Sequence, residues 1–329
     1  MPQDLPPILF LSVDEIRRTK ITMKEVIEVV EAVLFQHGSG VVEMAPRTGI
    51  YPRVESFTQA LLAHVPALDA AGAKIVSVFP TNKEAGLPVT TALLLLTAPA
   101  TGVPLAVMDA TLITAMRTGA VTAVAAKFLG RHGSREVAII GAGVQGRSNL
   151  RALAAVLPEL ATVRVYDIRP NAAASFVEEL GREIPIRVQA VNSAQEAVED
   201  ADVVVTGTAV FKERTPLVRR AWIKPGTLIA PLEVDRALET ALVYEPDLLV
   251  VDDTGQTLAF QKMGCFGEGA PAIYAELGEI VAGKKTGRTD DRQIIVAMNV
   301  GLPIEDIAVG HHVYKRAAER GLGQQLRYS

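Results

Sequence analysis

The sequence predicts an α/β protein in two parts. One is a domain built on a doubly wound parallel sheet; the other is a discontinuous α+β domain formed by the two ends of the chain. Three observations carry this. Residues 137–140 form a short apolar strand that runs directly into a G-x-G-x-x-G turn and a helix. From there to residue 251 strands and helices alternate, which is the pattern of a parallel sheet. Residues 45–108 instead hold strand candidates separated by Pro and Gly turns, as in a meandering sheet. The expected division is 1–124 with 302–329 for the α+β domain, and 125–301 for the doubly wound one.

The stretch 136–167 organises the rest. Val137, Ala138, Ile139 and Ile140 read as a strand buried on both faces. Gly141, Gly143 and Gly146 follow at fingerprint spacing. Leu150, Leu153, Ala154 and Leu157 then recur at helical spacing until Pro158. A second apolar strand, 163–166, ends in Asp167. A pyrophosphate needs free backbone N–H groups at a helix N-terminus, with no side chain in the way. Gly141 permits the tight turn, Gly143 lets the backbone approach the phosphates, and Gly146 lets the helix pack closely on the strand. Val144 and Gln145, inside the fingerprint, are expected at the cofactor. A carboxylate at Asp167 accepts hydrogen bonds from ribose hydroxyls and repels a 2′-phosphate, which favours NAD over NADP; Arg169 pulls the other way, because an arginine there accepts a phosphate. Strand, turn, helix and acid stand in the order that gives this motif its meaning, and they predict a Rossmann-like domain.

Composition sets the bounds. A chain of 329 residues is long for one small domain, and 49% hydrophobic with 21% charged residues is ordinary for a globular protein. The net charge of −4, with both signs interspersed, gives no nucleic-acid footprint and no polybasic membrane patch. Cys265 is the only cysteine, which excludes an intramolecular disulfide and fits a reducing cytoplasm. The opening MPQDLPPILFLS lacks the basic-then-apolar order of a signal peptide.

Taken in order, Ser12 stands before Asp14 and Glu15 as a helix N-cap. A helix is expected over 23–37, with Val26, Ile27, Val30, Val33 and Leu34 on one face and Gly38 and Gly40 ending it. Strands are expected at 59–65, 73–78, 91–97 and 104–108. The most apolar stretch, 88–108, is broken by Thr97, Pro99, Thr101, Gly102 and Pro104, so it reads as two buried strands and a turn rather than a membrane helix. A long alanine-rich helix at 111–129 carries Arg117. Further strands are expected at 186–190, 203–206, 228–230 and 248–251, with helices at 172–180 and 193–201. A helix is expected from Asp290 and a last one over 311–320, with no further strand–helix unit between; this ending is expected to return to the first domain.

A few side chains stand out chemically. Arg117 lies among small apolar residues, where a full charge needs a partner: a substrate carboxylate, or an acid elsewhere in the chain. Lys74 sits between Ala73 and Ile75 in an apolar strand. Buried, it would have a lowered pKa and could polarise an imine or carbonyl or shuttle a proton; otherwise it reaches solvent from a strand end. Thr206 and Thr208 end a strand at the carboxyl edge of the sheet, where a nicotinamide ribose is expected. Adjacent His311 and His312 point to different faces and suggest no metal site, Cys265 reads as a loop residue, and Asp252–Asp253 read as a turn cap.

Nearly the whole chain resembles the ornithine cyclodeaminase/mu-crystallin family. The resemblance rests on GAKIVSVFPTN (72–82), TGVPLAVMDATLITAMRTGAVTAVAAKFL (101–129), VAIIGAGVQGRSNL, ADVVVTGT (201–208), GEIVAGKKTGR and GLPIEDIA; the MDATLITAMRTGA run is the specific signature. The family implies a dimer of two-domain subunits. An outer domain holds substrate and the dimer interface, and an inner domain holds a nicotinamide cofactor. Members include ornithine and lysine cyclodeaminases, amino-acid dehydrogenases and imine or ketimine reductases. By this resemblance Arg47 and Arg117 bind the substrate carboxylate, Lys74 is catalytic, and Thr118 hydrogen-bonds the cofactor phosphate. Asn299 stands where many relatives have a serine. In the cyclodeaminases a Gly-rich loop with an acid leads to Pro-Gly-Lys, whereas this chain reads IAPLEVDRALE. Asp235 falls on the acid position, and Glu233 is its rival.

Together these readings predict a cytoplasmic NAD(H)-dependent dehydrogenase or imine reductase acting at the α-carbon of a small amino acid. Arg47 and Arg117 fix the carboxylate, Lys74 stabilises charge on nitrogen or a bound water, and Asp235 serves as general acid/base. The alternatives are an ornithine or lysine cyclodeaminase with bound NAD, and a non-enzymatic crystallin-like binding protein.

Overall fold

The computed structural model describes residues 5–208, 216–234, 237–266 and 269–327. The chain forms two compact units, Met1–Arg117 with Leu302–Ser329, and Thr118–Gly301. The first crossing falls between Arg117 and Thr118, inside a helix, rather than at 124/125. A continuous helix leaves no linker in the sequence to mark the boundary.

The first unit opens with β1 (Ile8–Leu11), α1 (Val13–Arg18) and α2 (Met23–Ser39). Both helices start in capping boxes, Ser12 with Glu15 and Thr22 with Glu25, and α2 ends where Gly40 takes the left-handed conformation at φ 77°. Then come β2 (Glu43–Met44), β3 (Thr48–Arg53), β4 (Ser56–Val65), β5 (Ala70–Val78), β6 (Thr90–Thr97), β7 (Pro104–Asp109) and α3 (Thr111–Leu129). β4 to β7 form an antiparallel meander, and β1 joins β7 in parallel. The apolar stretch 88–108 is therefore a strand pair, but β6 is not buried on both faces. Ala92, Leu94 and Leu96 are buried, whereas Leu93 and Leu95 lie on an exposed face. α3 is long and apolar enough to cross a membrane, yet 72% of its apolar window is buried, as in a core helix.

The second unit runs β8 (Glu136–Ile140), α4 (Val144–Val156), β9 (Thr162–Tyr166), α5 (Pro170–Glu183), β10 (Arg187–Ala190), α6 (Ala194–Val198) and β11 (Val203–Thr206). It continues through β12 (Leu228–Pro231), α7 (Thr240–Tyr244), β13 (Leu248–Val251), α8 (Thr254–Lys262), β14 (Ala275–Glu276), α9 (Leu277–Val281) and β15 (Ile295–Met298). Its strands are all parallel, in the order β10-β9-β8-β11-β12-β15-β13-β14. The order reverses at β8, so β8/β11 is the switch point of a doubly wound sheet. One core runs along a sheet face from Ala138 and Ile140 through Val204, Ile229 and Val296 to Val251, covered by Ala197, Val198, Leu242 and Val243.

Two expectations for the end of the chain are overturned. No helix starts at Asp290; its carboxylate accepts the Arg292 N–H in a turn, and the chain enters β15, buried between β12 and β13. A short apolar run is compatible with either state, and tertiary pairing decides. The last helix, α10 (Pro303–Glu319), begins at Pro303 rather than His311, with proline in its first turn, where a missing N–H costs nothing. A further strand–helix step therefore does occur, although its helix belongs to the first unit. There α10 packs on α2, β4, β5 and β6, and β16 (Gln324–Leu326) pairs antiparallel with β1. Gly310 packs close to β6: a Cβ there would lie 2.0 Å from Leu94 Cδ2, so any larger residue must displace that side chain.

Candidate functional site

In the first unit the sheet carries a buried charge cluster. Lys74, mid-strand on β5, pairs with Leu61 on β4 and Leu94 on β6 and is 1% exposed. Its Nζ lies 2.5 Å from Asp306 Oδ2 at the start of α10 and donates to Thr114 Oγ at 3.4 Å. Arg117 Nε donates to Asp306 Oδ1, and Arg117 Nη1 to Glu305 Oε2, each at 3.2 Å. Arg47, half-buried beside β3, donates from Nη1 to Gln59 Oε1 at 3.3 Å. Burial pushes the Lys74 ammonium down to about 8; Asp306 holds it up, while the positive charges of Arg117 and Arg47 press it lower.

Lys74 is thus the buried lysine rather than one reaching solvent. Arg117 meets acids of its own chain, the second of the two partners its sequence setting allowed. The cluster brings Arg47, Lys74 and Arg117 together against Glu305 and Asp306. Buried ions of this kind need mutual pairing to persist. Sequence reading missed Glu305 and Asp306. Acids in a helix's first turn have an ordinary explanation in the helix dipole. The available signal was their setting between Ile304 and Ile307, where two carboxylates face burial.

In the second unit the fingerprint adopts the expected turn. Gly141 has φ 107°, and a Cβ there would lie 2.4 Å from Gly207 O. A Cβ at Gly146 would lie 2.2 Å from Gly141 O, so only glycine lets α4 pack this closely. Gly143 caps α4, and a Cβ there would enter open space at the helix N-terminus. Val144, the first residue of α4, is exposed. Asp167 Oδ2 accepts the Ala142 N–H at 2.9 Å, and Oδ1 accepts the Arg169 N–H at 2.9 Å and Nε at 3.3 Å. The acid therefore ties the end of β9 to the fingerprint turn, and the Arg169 guanidinium is held beside it. Thr118 is buried in α3; its neighbour Gly119 lies against the Ser148 carbonyl of α4, where a Cβ would sit 2.7 Å away.

Further along the carboxyl edge, Thr206 ends β11, with Gly207 and Thr208 after it. Gly207 would place a Cβ 3.5 Å from both Gln145 Cβ and Leu232 Cδ1, so the fingerprint and the ends of β11 and β12 converge. Gln145 Oε1 and Asn299 Oδ1 are buried here without a hydrogen-bond partner among the described residues, and the Glu233 carboxyl is buried against the Thr206 hydroxyl. Burial raises the Glu233 carboxyl to about 7, although the Thr206 hydroxyl and the amides of Glu233, Thr208 and Leu232 favour its ionised form. An open helix N-terminus beside a row of buried polar groups fits a dinucleotide: phosphates at Gly143–Gln145, riboses and nicotinamide along the strand ends. Asp235 lies outside the described residues. Asp253 caps α8 by accepting the Gln256 N–H, and Cys265 lies in a turn after that helix.

The fold and this edge define a protein with a doubly wound dinucleotide-type unit and a separate unit carrying a buried lysine–carboxylate cluster. The chain belongs to the ornithine cyclodeaminase/mu-crystallin family, whose model matches residues 9–321. An alanine dehydrogenase of Archaeoglobus fulgidus is 34% identical over 97% of this chain and 98% of its own. The structure of Thermococcus litoralis Δ1-pyrroline-2-carboxylate reductase, in complex with NADH and L-proline, is 37% identical. It covers 97% of this chain and 100% of its own, with a TM-score of 0.87. An archaeal alanine dehydrogenase dimer with bound NAD is 32% identical over 98% and 99% of the two chains, with a TM-score of 0.88.

Proposed function

We propose that the protein is an NAD(H)-dependent oxidoreductase that interconverts a small α-amino acid and its imine or 2-oxo acid. The observation that carries this is Lys74, buried on β5 in ion pair with Asp306 and beside the charges of Arg47 and Arg117. Reduction of a C=N bond requires a hydride at carbon and a proton at nitrogen. A bound nicotinamide supplies or accepts the hydride. Lys74, with its pKa lowered to about 8, donates the proton to nitrogen or holds the water that hydrolyses the imine, and Asp306 keeps its ammonium in place. Arg47 and Arg117, cationic side chains of the same cluster, are the residues that would bind the substrate carboxylate. Asp235 is carried in this reading as a further acid/base.

The second unit is assigned the cofactor through Gly141, Gly143, Val144, Gln145 and Gly146, with Thr118, Thr206 and Thr208 beside them. Asp167 favours NAD over NADP, because its carboxylate at the fingerprint turn opposes a 2′-phosphate. A homodimer in the cytoplasm completes the reading. Leu62, Ile75, Leu93 and Leu95 share one exposed face of the first unit's sheet, an apolar surface suited to a second copy. Purified protein with NADH should reduce one or more members of a panel of cyclic imino acids, and of 2-oxo acids with ammonia. Redox-neutral release of ammonia and proline from L-ornithine would replace this reading with a cyclodeaminase. Cofactor binding with no turnover across the panel would replace it with a binding protein.

A further inference from the structure

Glu233 takes no part in the chemistry assigned to the first unit, and its setting calls for a ligand. It follows β12 directly, is 7% exposed, and has only the Thr206 hydroxyl and nearby backbone amides, and no cation, facing its carboxyl among the described residues. The next residue, Val234, is a β-branched residue at φ 66°, a costly conformation that only a constrained turn retains. The strained turn holds the carboxyl at the carboxyl edge of the sheet. The Leu232 N–H donates to Thr206 O at 3.0 Å, which fixes the ends of β11 and β12 side by side.

The position in the sheet identifies what the carboxyl meets. A dinucleotide on a doubly wound sheet crosses the switch point with one nucleoside over each half. Asp167, at the end of β9, marks the adenosine half. Glu233 lies on the other half, with the Thr206 hydroxyl and the orphaned Asn299 Oδ1 at neighbouring strand ends. That half receives nicotinamide, which is cationic when oxidised and neutral when reduced. Thr206 and Asn299 offer neutral polar contacts; Glu233 offers a charge.

Resting on the reading of this unit as an NAD(H) site, we propose that Glu233 selects the redox state of the bound cofactor: its carboxylate favours NAD⁺, and its protonated form favours NADH. In a buried setting an unscreened carboxylate strongly attracts a nearby cation. Binding NAD⁺ to the protonated protein therefore releases the Glu233 proton, and NADH binding does not. Among the described residues, the neighbouring charged groups of this edge are already engaged. Asp167 accepts the Ala142 and Arg169 amides, and Asp252 accepts the Gly301 N–H at 2.6 Å and the Asp253 N–H at 2.9 Å. Arg147, in the first turn of α4, bonds Glu179 and the Ala142 carbonyl. β11 and β15 carry no ionisable side chain; Thr206 ends β11 and Asn299 directly follows β15.

The test is equilibrium binding of NAD⁺, NADH and ADP-ribose to the full chain between pH 6 and 8, with calorimetry in buffers of different ionisation heat. The expected result is an NAD⁺ affinity that rises about tenfold over this range, with most of one proton released per NAD⁺ at pH 6. NADH and ADP-ribose should change less than about threefold. Glu233→Gln should flatten the NAD⁺ curve while still binding NADH. A flat NAD⁺ curve without proton release in the unmodified protein, with NADH bound, overturns the proposal, and so does a Gln variant that keeps the slope. The proton-release measurement decides the matter even if the variant does not fold. Failure of all three ligands to bind would instead remove the NAD(H) reading, and this inference with it.

Discussion

The ammonium of Lys74 and the carboxylate of Asp306 meet at 2.5 Å, with neither side chain more than 2% exposed. Each compensates a charge that the other's loss would strand. Lys74→Met should lower turnover by about 10²-fold or more, because the proposed proton source is gone. It should also destabilise the first unit by about 3–5 kcal/mol, by leaving Asp306 uncompensated. Steady-state kinetics and denaturant unfolding measure the two effects. NADH affinity should be unchanged, and a variant with full activity would end the assignment of Lys74.

The pH dependence follows from the same pair. Lys74 must be protonated to donate, so kcat/KM for imine reduction should fall as pH rises through about 8. Asp306 holds the Lys74 pKa up, so Asp306→Asn should move this limb to lower pH by about one unit or more. A pH–rate profile of the two proteins checks the sign. A limb that stays in place would show that another group controls it.

Gly143 and Gly146 should separate binding from folding. A methyl at Gly143 meets nothing, so Gly143→Ala should fold normally yet lose NADH affinity by about tenfold or more, since the methyl enters the phosphate space. A methyl at Gly146 would lie 2.2 Å from the Gly141 carbonyl, so Gly146→Ala should destabilise the second unit by about 1–3 kcal/mol. Fluorescence titration with NADH and thermal unfolding distinguish the two outcomes.

The exposed apolar face predicts the oligomeric state. Leu93→Glu with Leu95→Glu should convert a dimer to monomer without unfolding it, because both side chains already face outward on β6. Sedimentation velocity reads this directly. An unmodified protein that is monomeric would dismiss the dimer.

What the sequence made legible was local. The fingerprint, its strand and the acid at Asp167 lie within one short stretch whose spacing reflects the phosphate chemistry, and the structure places them at one turn. Lys74 was legible because a charge in an apolar strand is conspicuous. Its partners were not. Glu305 and Asp306 sit in a helix's first turn, where acids are routine, and only the packing of α10 on β5 shows that they are buried. The strand at Ile295–Met298 failed for a related reason: its apolar run carries no period, and pairing with β12 and β13 decides its state. Leu93 and Leu95 read as core because a run of four leucines hides the alternation that the register reveals.

Arg117 and Asp306 are separated by 189 residues of sequence. A ribosome adding about 5–20 residues per second takes roughly 10–40 s to make that span. Through that interval the nascent first unit carries its lysine and arginine without their acids, while the whole of the second unit emerges and can fold. The order of synthesis thus places completion of the proposed catalytic charge cluster last. A chain truncated before Leu302 would keep the dinucleotide fold and have no means of closing the other unit.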